Sequence, residues 1–108
     1  MRKIKRGDMV MILRGKDRGK KGRVLEVDPK AGTAKVEGLN LVKKHRRRTA
    51  KHPRPSIDTI PAPIPLSALA LVSRKDGKPT RVRIEKRTNE QGRVHKVRVS
   101  VRTGEVFD

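Results

Sequence analysis

Apolar residues in this chain fall in short runs bounded by glycine and proline, and nowhere do they keep a helical spacing for long. From Asp8 to Leu13 they run almost unbroken between Gly7 and Gly15, which predicts a short buried strand. GRVLEV, Gly22 to Val27, predicts a second. In the DPKAG that follows, Asp28 and Pro29 initiate a turn and Gly32 is available for positive φ, so TAKVEG, Thr33 to Gly38, is expected as a third strand. Short strands joined by glycine-rich corners point to a small β-barrel rather than a helical bundle.

The pattern changes beyond Val42. KKHRRRTAKHPRP, Lys43 to Pro55, is nearly free of apolar residues, and a block of like charge repels itself, so a protruding basic loop is expected there. In IDTIPAPIPLSALALV, Pro61, Pro63 and Pro65 exclude an α-helix or a central strand and favour extended or edge structure, ending in a short strand near Leu69 to Val72. Asp76-Gly77 marks a turn. The last third alternates. Val82 and Ile84 interleave with Arg81, Arg83 and Glu85, while Val97, Val99 and Val101 interleave with Arg98, Ser100 and Arg102. Alternate residues of a strand face opposite ways. With Asn89 to Gly92 as the connection, the expectation is a hairpin with one apolar face and one arginine-rich face. An ordinary solvated surface would mix lysine and glutamate, whereas the planar guanidinium suits phosphate.

Composition says what such surfaces are for. In 108 residues there are 30 Lys+Arg against 11 Asp+Glu, a formal net charge of +19. Self-repulsion of that size calls for an anionic partner. A hydrophobic content of 32% allows one modest core, so one domain with an appendage is expected: a barrel over residues 1–72 and a basic hairpin extension over 73–108. No cysteine is present, which removes disulfides and thiolate metal sites. The polar N-terminus and the lack of a long apolar stretch predict a soluble, intracellular protein. A membrane-surface helix would need a sustained apolar face with aromatic anchors. Single-strand readers stack bases on aromatic rings, yet aromatics are 1% of this chain. What remains is binding to phosphates and to folded nucleic-acid shape.

The densest charge lies in GKDRGKKGR, Gly15 to Arg23, five cations and three glycines in nine residues directly after the first predicted strand. A phosphate-binding P-loop needs four residues between its glycines and then Lys-Ser/Thr opening a helix; here the spacing is three, no hydroxyl follows and a strand comes next. His45, His52 and His95 sit among cations without metal-site spacing, and no nucleophile stands beside a base, so neither an enzyme nor a cofactor or metal site is expected. The reading is of a loop whose glycines let it lie close to a nucleic-acid backbone while Lys16, Arg18, Lys20, Lys21 and Arg23 neutralise phosphates. Asp17 is expected to orient a base or a loop amide.

These residues carry a resemblance. KIKRGDMVMILRGKDRGKKGRVLEVDPKAGTAKVEGLNLVKKH, Lys3 to His45, is similar to the KOW motif as it occurs in the universal large-subunit ribosomal protein family numbered twenty-four in bacteria, with Gly7-Asp8, Gly15-Lys16-Asp17, Gly19-Lys20, Gly22, Val36-Glu37-Gly38 and Asn40 on the family pattern. PIPLSALALV resembles the family's proline-led strand and GKPTRVRI its C-terminal extension; RPSIDTIP departs from the family's glycine pair and acidic stretch, and Ala68 stands where asparagine is common. The resemblance implies an all-β, SH3-like barrel with an extended loop. It also implies binding to large-subunit rRNA near its 5′ end, early assembly, neighbouring ribosomal proteins as partners and a place by the polypeptide exit tunnel. The expected RNA contacts are Lys3, Lys5, Arg6 and Arg14 before the glycine loop and its five cations; Asn40 after it; Lys43, Lys44, His45, Arg46, Arg47, Arg48 and Lys51 in the basic loop; and Arg81, Arg83, Arg98 and Arg102 on the hairpin. Two rivals fit less well. A KOW module of a transcription elongation factor normally follows an α/β domain, and a small basic DNA-binding protein would show a recognition helix.

Overall fold

A computed structural model describes residues 3–46 and 56–107. Strand β1, Met9–Ile12, is the middle of the main ladder and buries Val10 and Ile12. It pairs antiparallel with β2, Lys21–Asp28, on one side. β2 pairs in turn with β3, Thr33–Val36, which buries Ala34 and Val36. The ladder is six-stranded: β3 carries the two-residue β6, Ile64–Pro65, on its other edge, while β1 continues to β7, Leu69–Val72, and β7 to β8, Pro79–Thr80. A single turn of 3₁₀ helix, Leu66–Ala68, joins β6 to β7. Both outermost strands carry a proline, the position where a missing N–H costs the ladder nothing. The all-β class expected from the runs and glycine corners holds; the ladder does not close into a ring, its ends being β6 and β8.

Val10, Ile12, Val24, Val36, Leu39, Ile64, Leu69 and Leu71 form the heart of one core, to which Val82 and Phe107 from the C-terminal third also belong. Gly22 makes that core possible. It faces inward from β2, and a Cβ there would lie 2.7 Å from Val36 Cγ1 and 2.9 Å from the Glu37 carbonyl oxygen. It is a close-approach glycine, unlike Gly15 and Gly19, whose φ angles of +94° and +86° mark them as corner residues in open space. Gly22→Ala should therefore lower stability by about 1–3 kcal/mol through overpacking, whereas Gly15→Ala should act only through backbone strain; paired urea melts distinguish the two.

Leu41–Arg46 and Ser56–Pro61 pair antiparallel as β4 and β5, with Val42 opposite Ile60 and Lys44 opposite Asp58. The protruding loop expected from Lys43 thus starts later: Lys43 to Arg46 is strand. Charge repulsion along β4 is offset by a full ladder and by the β-branched partners of IDTI across it. The rest of the expected loop, residues 47–55, lies outside the described residues.

The C-terminal sheet runs β11 (Val106–Phe107), β10 (Val94–Ser100), β9 (Val82–Thr88). Its register overturns the two-faced hairpin. Ser100 pairs with Val82 and Arg98 with Ile84, while Val99 pairs with Arg83 and Val97 with Glu85. Directly opposed residues share a face, so the valines of one strand lie beside the charges of the other. The cause is one residue of turn. Asn89 N–H donates to the Arg93 carbonyl at 2.9 Å, Asn89 Oδ1 accepts from the amides of Gln91 and Arg93, and Gly92 takes φ +79°. The connection between Thr88 and Val94 is thus one residue longer than Asn89 to Gly92, and a slip of one exchanges the faces.

Candidate nucleic-acid interface

The loop between β1 and β2 is built by its own backbone: Gly19 N–H donates to Ile12 O at 2.8 Å, Arg18 N–H to Gly15 O at 3.2 Å and Lys20 N–H to Asp17 O at 3.0 Å. Asp17 fixes it to the rest of the molecule. Its Oδ1 accepts from Lys20 Nζ at 3.0 Å and its Oδ2 from the Asn40 backbone N–H at 2.9 Å, and these two donors, Lys20 first, hold the carboxyl below its ordinary value of 3.8. Asp17 orients a loop amide, one of the two roles expected of it. Asn40, at φ +49°, donates its side-chain nitrogen to the carbonyls of Ala62 at 3.3 Å and Pro63 at 3.2 Å, so that nitrogen is committed to positioning the proline segment. Around this frame Lys16, Arg18, Lys20, Lys21 and Arg23 are all exposed. Among the described residues only Lys20 of the five has a carboxylate partner.

The N-terminal cations Lys3 and Arg6 are exposed, and Lys5, half-buried, donates its backbone N–H to Asp8 Oδ2 at 2.7 Å. The same Asp8 carboxylate meets Arg98, whose Nη1 donates to Oδ2 and Nη2 to Oδ1 at 3.1 Å; Nη1 also donates to the Lys3 carbonyl at 3.1 Å. Arg98 is 1% exposed. Its expected role as a phosphate contact is corrected: the register turns it inward with Val82, Ile84 and Phe107, where it clamps the N-terminal segment to β10. Its guanidinium carbon lies 6.0 Å from the centre of the Phe107 ring, and that of Arg74 lies 5.9 Å from it, so the one aromatic ring serves two cations.

Arg102 is exposed but occupied. It pairs with Asp76, donates to the Lys78 and Pro79 carbonyls at 3.4 and 3.2 Å, and its hydrogen bond pulls the Asp76 carboxyl down to about 2. Arg83 pairs with Glu85, which Arg87 approaches at 3.6 Å from the other side. Arg81 is exposed and has no carboxylate partner among the described residues. Glu105 accepts from Ser73 Oγ at 2.8 Å and from Arg74 Nε at 2.7 Å; burial pushes its carboxyl up, but these hydrogen bonds outweigh it and leave the group below its ordinary 4.5. Asp17, Asp76, Glu85 and Glu105 all have folded-state values depressed. Each contributes stability present above its unfolded value and lost as pH falls through the folded one. Melting temperature at fixed ionic strength should therefore be level above about pH 4.5 and decline as pH falls from there towards about 2.

Arg14 is exposed and donates from Nη2 to Ser67 Oγ at 2.8 Å, which anchors it beside the glycine loop. Lys43 and Lys44 are exposed on β4, where His45 and Arg46 follow; Arg47, Arg48 and Lys51 lie outside the described residues. The structure thus gathers Lys16, Arg18, Lys20, Lys21, Arg23 and Arg14 around one loop, leaves Lys43 and Lys44 on a separate ribbon, and withdraws Arg98. Sequence reasoning missed the Asp8–Arg98 clamp and the Asp76–Arg102 pair. Their only signal is chemical: few carboxylates among many cations find partners.

Comparison with known proteins agrees with this architecture. The family model for the KOW motif matches residues 6–37, and the one described as "Large ribosomal subunit protein uL24, C-terminal domain" matches residues 39–107. The chain is 46% identical over 106 residues to the large ribosomal subunit protein uL24 of Erythrobacter litoralis, covering 98% of this chain and 95% of that one. It is 43% identical over 106 residues to the proteins of the same name from Sphingopyxis alaskensis and Novosphingobium aromaticivorans, covering 96% and 95% of them.

Proposed function

The chain belongs to the large ribosomal subunit protein uL24 family, and from that premise we propose that it binds large-subunit rRNA through phosphate contacts centred on the loop between β1 and β2. It is a ribosomal protein of the large subunit, not an enzyme, and its bacterial relatives place it in the cytoplasmic ribosome. One observation carries the rRNA reading: Lys16, Arg18 and Lys20 are exposed on a loop tied down through Asp17 and Asn40, Lys21 and Arg23 are exposed beside it at the start of β2 rather than in the loop where the sequence put them, and four of the five have no carboxylate partner among the described residues. Desolvating such cations against phosphate oxygens requires no ion pair to be broken first, and a preformed loop loses little conformational freedom on binding. Lys3, Arg6 and Arg81 extend the contact, and Lys43 and Lys44 bring the β4–β5 ribbon to it. Contact near the 5′ end of the rRNA, entry early in subunit assembly, neighbouring ribosomal proteins and a site by the exit tunnel complete the reading, as the resemblance implies.

Competition tests it. Labelled 5′-region rRNA held by the protein should be displaced by the same unlabelled rRNA at far lower concentration than by duplex DNA of equal length. Equal displacement would point to a general polycation.

A further inference from the structure

Between the glycine loop and the β6–3₁₀ segment lies a recess of about 250 Å³. This is just below the roughly 300–1,000 Å³ usual for small-molecule pockets, and leaves room for one flat ring system. Its floor is apolar, with Ile64 and Ala68 buried and Pro65 beside them, while Arg14 and Lys16 stand at its rim with Asn40. We propose that this recess takes a single unstacked nucleobase of the bound RNA, one that carries an exocyclic amino group. The inference rests on the rRNA-binding reading and adds a base-specific contact to it.

Three features converge on that ligand. The exposed Pro65 ring, backed by the buried Ile64 and Ala68, offers an apolar surface to the face of a base, in a chain that has no aromatic ring free for stacking. Arg14 is pinned at the edge by its 2.8 Å bond to Ser67 Oγ, and a fixed guanidinium plane both stacks on bases and attracts the phosphate next to them. The polar atom is Asn40 Oδ1. Because Asn40 Nδ2 is committed to the carbonyls of Ala62 and Pro63, the amide orientation is set, and the oxygen on the opposite side of Cγ is left as an acceptor. Asp17 also lines the recess, and each of its oxygens already accepts one hydrogen bond, from Lys20 and from the Asn40 backbone, which turns the carboxylate towards those donors. An acceptor at that point favours the amino group of adenine, cytosine or guanine over uracil, whose one N–H donor on that edge, at N3, is flanked by two carbonyl oxygens that the Asn40 oxygen repels.

The test is an abasic scan of the unpaired positions in a 5′-region rRNA fragment assembled by ligation, with binding measured by filter retention. At one unpaired A, C or G, loss of the base should weaken binding about tenfold, the effect of a lost hydrogen bond together with its apolar contact. Removing only the amino group there, by purine riboside for A, inosine for G or pyrimidin-2-one riboside for C, should weaken it several-fold. Ala68→Leu, which fills the recess, should make binding insensitive to the abasic change, with its melting curve as the control for folding. Should that variant melt early, Asn40→Gly, at a φ that glycine accepts, should abolish sensitivity to amino-group removal. Steep, salt-dependent binding with no sensitive position, or sensitivity unchanged in a folded variant, overturns the base pocket and leaves the phosphate reading standing. Failure of the intact fragment to bind overturns both.

Discussion

Arg98→Ala should destabilise the protein by about 3–5 kcal/mol, the usual effect of removing one partner of a buried ion pair. Arg98 is 1% exposed and Asp8 is largely buried, so truncation leaves a carboxylate in the interior with, among the described residues, only the Lys5 amide to satisfy it. It also frees the Lys3 carbonyl and removes one of the two cations near Phe107. Much of the loss is the uncompensated charge rather than the strength of the pair, so Arg98→Met combined with Asp8→Asn should recover a substantial part of it. Urea denaturation of the three variants measures this. If Arg98→Ala melts like the parent protein, the clamp is not structural and the arginine is available to a ligand after all.

The opposite division is expected at the glycine loop. Replacing Lys16, Arg18, Lys20 and Lys21 together by alanine should leave the urea midpoint nearly unchanged, because the one ion pair removed, Lys20 with Asp17, has Lys20 61% exposed and exposed pairs contribute about 0–1 kcal/mol. Asp17 keeps its bond to the Asn40 amide, which continues to hold the loop. Binding to rRNA should collapse instead. Four lost phosphate contacts make the slope of log affinity against log salt shallower by about 3 to 4, which at 0.1 M salt, relative to 1 M, amounts to a loss of roughly a thousand- to ten-thousandfold. A variant that binds as before would move the interface elsewhere.

How much of this was legible in the chain depends on range. Val10, Ile12, Val24, Ala34 and Val36 are buried within the strands that the apolar runs and glycine corners predict, because each strand is specified by its own residues. Pro65 and Pro79 lie on the two edge strands for the local reason that proline lacks an N–H. The hairpin faces were misread because strand pattern leaves the register open, and the Asn89 side chain closing on Gln91 and Arg93 adds the residue that exchanges them. Arg98 followed from that single slip. Gly22 was legible as a special glycine, but its purpose, clearance for Val36 and the Glu37 carbonyl, depends on a neighbour that only the fold brings near. Lys43 to Arg46 read as loop because charge density outweighed propensity in the sequence, whereas backbone pairing with β5 outweighs charge in the fold.

The central claim is that affinity comes from phosphates displayed on a folded RNA surface. The measurement that tests it most directly is a salt series on a native 5′-region rRNA fragment and on an unfolded control of equal length. With roughly six to ten phosphate contacts, log affinity for the native fragment should fall against log salt with a slope of about −4 to −9, and the native fragment should be strongly preferred at moderate salt. A shallow slope, or equal affinity for the unfolded control at moderate salt, would contradict the account.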